Sequence, residues 1–145
     1  MIIVWVSGNE SLEKTAEIAE DFIPSLRKID KNMLNYHLLA REAIANLTKP
    51  VGKIDELVGD WADERQVLEF ALASSDMLSA FVVYIYKLAL CNWYGEYTKA
   101  VEYADNAEKF VGGSRGIFIN PVFYFHQSIA LEVPYAEVDS ETQVI

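Results

Sequence analysis

Residues 77–93, MLSAFVVYIYKLALCNW, are apolar at almost every position and at every helical angle, with one lysine, Lys87, in their midst. A helix that is apolar all round has no face to give to water, so it lies in a bilayer or is surrounded by other elements. Seventeen residues are marginal for a span, no basic cluster flanks them, and a central lysine is costly in lipid. The run is therefore expected to be the buried helix of a soluble bundle, and the rest of the chain must cover it.

The rest of the chain is patterned to do so. Asn9 can cap a helix through ESLEKTAEIAEDFI, where Leu12, Ala16, Ala19 and Ile23 recur at helical spacing and Pro24 ends or bends it. Asp30 can cap KNMLNYHLLAREAIANL, whose stripe is Leu34, Leu38, Leu39, Ala43 and Leu47. TKPVGKIDELVGDW reads as a loop with one short helical turn, and Asp63 can cap ERQVLEFALA. Asp76 caps the long apolar helix and Gly95 breaks it. A second helix is expected from about Tyr97 to Val111, and GGSRG stops it. A last helix is expected from Asn120-Pro121, a cap followed by proline at the first helical position, to about Val133, before Pro134. Residues 1–6 are β-branched and strand-like but have no clear partner, and residues 135–145 are acidic and without period. The expectation is all-α: one domain of about six helices over residues 1–134, with a repeat-like hairpin at 77–111, followed by a frayed tail at 135–145.

With 12 Lys and Arg against 22 Asp and Glu, the net charge is −10. Affinity for nucleic acid and for anionic lipid comes largely from lysine and arginine, so neither partner is expected. The single cysteine, Cys91, cannot form an internal disulfide and fits a reducing compartment. MIIVWVSGNE lacks the basic start and apolar length of a secretory signal, and a cytoplasmic location is expected. The apolar fraction of 52% is more than a small domain hides easily, which favours contact with another domain or a second copy.

No constellation for catalysis, metal or cofactor is expected. VGGSRGIF is glycine-rich but lacks the Lys and Ser/Thr of a phosphate loop. His37 and His126 are far apart and not at metal-ligand spacing, so they read as packing histidines. Cys91 has no basic neighbour in sequence to lower its pKa. The carboxylates Asp55, Glu56, Asp60, Asp63 and Glu64 lack the alternation of a calcium loop and read as a solvated turn with a helix cap.

One internal repeat is visible. YIYKLAL (84–90) and FHQSIAL (125–131) coincide in pattern when Ala89 is laid on Ala130, a step of about forty residues, and LNYHLLAREAIANL is a looser copy. GEYTKAVEYADNAEKF resembles the second half of a tetratricopeptide repeat (TPR). Gly95 and Tyr97 stand at the turn, Ala100 and Tyr103 on the next helix, and Ala107 at the close approach. In the first helix Lys87-Leu88 stand where the repeat usually has Leu-Gly, and no proline follows the second. Over residues 31–131, FVVYIYKLALCNWYGEYTKAVEYADNAEKFVGG followed by FYFHQSIAL resembles the TPR-like helical region of large multidomain signalling proteins, mainly of cyanobacteria. Those proteins carry a Ser/Thr kinase, an AAA-type ATPase, a GAF sensor and a histidine kinase.

The resemblance implies hairpins stacked in a right-handed superhelix, with any kinase or ATPase chemistry in domains outside these residues. It implies a non-catalytic interaction or scaffold module for a protein segment or neighbouring domains. Ile85, Ala89, Asn92 and Trp93 would face the partner, and exposed helical faces would promote homo-oligomers. The alternative is a module that senses a small effector within the superhelix and regulates an attached ATPase or kinase.

Overall fold

The computed structural model describes residues 10–29, 31–49 and 52–142. Among these it is all-helical, with α1 Leu12–Ile29, α2 Lys31–Thr48, α3 Glu64–Ser74, α4 Met77–Tyr94, α5 Tyr97–Glu108 and α6 Ile119–Thr142. A 3-10 turn, Val111–Ser114, lies between α5 and α6. The strand-like stretch 1–6 and the caps expected at Asn9 and Asp30 lie outside the described residues.

The helices pair as antiparallel hairpins. Arg41 Nε reaches Glu20 Oε1 at 2.7 Å, and Phe22 and His37 sit 6.4 Å apart between ring centres, which pairs α1 with α2. Glu64 at the start of α3 meets Lys87 on α4, and Tyr84 on α4 stacks on Phe110 just beyond α5 at 5.9 Å. α4 is the centre of the array. It packs against α2, α3, α5, the 3-10 turn and α6, and twelve of its eighteen residues are buried. It is the one helix among the described residues long and apolar enough to cross a membrane, and two thirds of it is covered by the chain itself.

Helix ends follow local chemistry where a side chain can reach the backbone. The Asp63 carboxylate accepts from Arg65 N and the Asp76 carboxylate from Ser79 N. Gly95, at φ 75°, closes α4 in the left-handed conformation, with Glu96 N donating to Cys91 O at 2.9 Å. Ser11 supplies a cap for α1, its Oγ accepting from Lys14 N at 3.2 Å.

Several boundaries differ from expectation. α1 runs through Pro24 to Ile29, because Pro24 lies on the exposed side and water can take the carbonyl it frees one turn back. α5 stops at Glu108, short of Val111, and the glycine stretch after it forms the 3-10 turn. α6 begins at Ile119, ahead of the expected cap. Asn120 is inside it, accepting from the Ser114 hydroxyl through Oδ1, and Pro121 falls in the first turn, where amide groups need no helical partner. α6 also continues past Pro134 to Thr142, beyond the end expected at about Val133. Ala136 and Glu137 are good helix formers, and a proline costs a helix one bond without forbidding its continuation.

The 3-10 turn lies directly on the start of α4. A Cβ on Gly113 would stand 2.7 Å from Met77 Cβ, 2.8 Å from Leu78 N and 2.9 Å from Met77 C, whereas one on Gly112 would meet only the flexible Met77 Cε at 3.7 Å. Backbone cannot yield as a side-chain tip can. Gly113→Ala is expected to cost about 1–3 kcal/mol and Gly112→Ala much less. Paired thermal melts check this, and equal melting temperatures would refute the close contact.

Candidate functional site

Three places in this fold could meet a partner or do chemistry: the polar network beneath the 52–63 loop, the cleft beside α1, and the outer face of α6.

The network is closed. Beyond one antiparallel bridge, Val58–Asp63, and a few turn bonds, the loop has no ladder to satisfy its backbone, and buried side chains supply further partners. Asn46 Nδ2 donates to Ile54 O at 3.0 Å and to Glu56 O at 2.8 Å. Glu42 Oε2 accepts from Trp61 N at 3.0 Å, and Glu64 Oε2 from Leu57 N at 2.9 Å. Leu57 itself, fully buried, plugs the loop into the core. Glu64 pairs with Lys87, which lies 4.9 Å over the Tyr103 ring, and the Tyr103 hydroxyl donates to Asp55 Oδ2 at 2.7 Å. Burial pushes the Asp55 carboxyl up, but Tyr103 and Lys99 outweigh it and hold its pKa below the usual value. Tyr103 is pushed far up by burial, by the hydrogen bond it donates to Asp55 and by the negative charge of that carboxylate. Burial also pushes the Cys91 thiol up to about 12, so it stays protonated and unreactive. Each group here answers another, and the sum is a staple for the loop. No group of three or more His, Cys, Asp or Glu able to hold a metal is present among the described residues.

The cleft, of about 860 Å³, lies between α1, α2 and the tip of the loop. Glu17, Glu20, Glu42 and Asp60 line it against Arg41 and Lys49. Arg41 spans it, bonded to Glu20 and with its guanidinium carbon 4.7 Å from the centre of the Trp61 ring. Ligand sites of this size are usually apolar with a few polar groups; this one mixes apolar wall with an excess of carboxylates over cations.

α6 buries one apolar arc and exposes a mixed one, where Ser128 and Glu132 stand beside aromatic residues. Ile119, Val122, Phe123 and Ala130 are buried, with Phe123 edge-on to Phe81 at 5.3 Å. On the opposite arc Tyr124, Phe125 and Leu131 are 53%, 59% and 45% exposed.

The four residues expected to face a partner are divided by this arrangement. Ile85 and Ala89 are buried in the core, so neither is open to a partner in the single chain. Asn92 is half-buried and occupied, its Nδ2 donating to His126 O at 2.8 Å, and its Oδ1 has no partner. Only Trp93, 67% exposed, is free to meet anything. Of the hairpin seam, Ala100 and Ala107 are fully buried, Gly95 makes the turn, and Tyr97 and Tyr103 are half-buried. Ala104, buried with them, completes the seam and was legible from its spacing with Ala100. Glu42 and Asn46 gave no such signal, since their partners are backbone groups of a loop. Compared with protein-family models, curated proteins and solved structures, the chain matches none of the three.

Proposed function

We propose that the chain is a non-catalytic helical-repeat interaction module. Its hairpins would stack in a TPR-like right-handed superhelix that docks a protein segment or neighbouring domains of a bacterial signalling protein. The observation that carries this is α6. One arc of α6 is buried, and the opposite arc exposes Tyr124, Phe125 and Leu131, apolar surface of the kind that a partner covers. The resemblance over residues 31–131 supplies the setting, with kinase and ATPase chemistry in other domains. The test is affinity capture from the source cell with the full chain, followed by binding titrations on purified candidates. Saturable binding of a protein segment or a kinase, ATPase or sensor domain is expected. Absence of any such binder, or turnover of ATP by the pure chain, would overturn the proposal.

A second reading has its own observation in the acidic cleft, whose size suits a small effector. A cationic metabolite there would be sensed by α1 and α2 together. A ligand at 100 times its dissociation constant adds about 2.7 kcal/mol, so a thermal-shift screen of polyamines, basic amino acids and nucleotides would reveal it. A silent screen removes this reading.

A further inference from the structure

The internal repeat lays α6 on α4, with Ala130 on Ala89. Both alanines are fully buried, and Ile85 and its counterpart His126 are buried too. The same side of each helix therefore faces inward, and the repeat holds in three dimensions. On the other side the two helices differ. Val83, Tyr84, Lys87 and Leu90 of α4 are covered or half-covered: Tyr84 stacks on Phe110 with ring planes 9° apart, and Lys87 lies over Tyr103. This is the side that α5 and the residues just beyond it close, with Glu64 at the start of α3 meeting Lys87. Their counterparts on α6 are Tyr124, Phe125, Ser128 and Leu131, all exposed. The stretch from 116 to 131 has no Asp, Glu, Lys or Arg, in a chain of net charge −10. Where α4 has Lys87, which needs a carboxylate, α6 has a serine, which does not.

We infer that the outer face of α6 is a docking groove for one antiparallel amphipathic helix with the chemistry of α5. Such a helix presents small residues in the pattern of Ala100, Ala104 and Ala107, so that its backbone closes onto Tyr124 and Phe125. An aromatic residue in the place of Phe110 stacks on Phe125, and its charges stay on the far side. The inference rests on the interaction-module reading and names its partner. The competing occupant is a second copy, in line with the self-association expected from sequence. It fits less well: α6 against α6 sets Tyr124 and Phe125 against their own kind, whereas the α4–α5 seam sets large residues against alanine. The α5 of every copy is already engaged.

The probe is a synthetic peptide of residues 96–112, stapled into a helix through its outer face, fluorescently labelled and titrated into the full chain. Saturable binding with a dissociation constant under about 100 μM is expected. It should weaken at least about tenfold with Phe125→Asp in the chain, and likewise with Ala104→Gln in the peptide. Phe125 is exposed, so the F125D chain should keep its circular dichroism and melting temperature. No saturation with a peptide that is demonstrably helical, or binding indifferent to both substitutions, overturns the inference. So does a chain dimer in sedimentation that F125D dissociates, because the face then belongs to a second copy. A cellular partner whose binding ignores F125D would defeat this inference and leave the module reading standing; no partner at all defeats both.

Discussion

Lys87→Met is expected to destabilise the chain by about 3–5 kcal/mol, the cost of leaving one member of a buried ion pair uncompensated. Lys87 and Glu64 side chains are only 7% and 11% exposed, and they join α4 to α3 where the loop enters the core. With the ammonium gone, the Glu64 carboxylate would keep one donor, Leu57 N, inside an apolar shell. The melting temperature should fall by roughly 10–20 °C for a domain of this size. Adding Glu64→Gln should recover much of the loss, because the amide oxygen still accepts from Leu57 N and no charge remains to be solvated. A four-variant cycle of urea melts measures the coupling directly. A single Lys87→Met that melts with the wild type, or a double variant no better than the single, would show that the pair does not govern this junction.

That lysine also shows how far the sequence could be read. Its place inside an apolar run signals a buried cation and hence a buried anion, but nothing local says which carboxylate answers it. Glu64 lies 23 residues away and also opens a helix, where a solvated capping role is the natural expectation. Asp63, Asp76 and Gly95 were legible because a cap or a left-handed turn acts over three or four residues. The all-helical class followed from period. Ile85 and Ala89, expected to face a partner, are buried because α2, α3, α5 and α6 all pack on α4, a tertiary fact with no local signal. Pro134 misled because a proline removes one helical bond without forbidding the helix to continue. The repeat of Ala89 in Ala130 was the one long-range signal in the sequence, and the structure packs the two helices that carry it against each other and buries both alanines.

His126 makes stability depend on pH in a window of its own. Burial holds its imidazole neutral, with the pKa lowered to about 4 from an ordinary 6.5, in a site where Asn92 Nδ2 approaches its Nδ1 at 3.3 Å. A folded-state pKa below the unfolded value means that between pH 6.5 and 4 the unfolded chain binds a proton that the folded chain does not. Stability is therefore full above pH 6.5, falls as pH drops, and levels off below about 4. The total loss is about 3 kcal/mol, at about 1.4 kcal/mol per pH unit in the steep part. The carboxylates act lower: Asp63, hydrogen-bonded to Arg65, is held at about 2, so its contribution is lost only below its ordinary 3.8. Urea melts at pH 7, 6 and 5 isolate the histidine from that second descent. His126→Gln keeps the backbone carbonyl that Asn92 bonds and removes the titrating ring, so its stability should be nearly flat over the same range. If the wild type is flat there as well, water reaches the ring, and the packing of α6 on the end of α4 is looser than its buried arc implies.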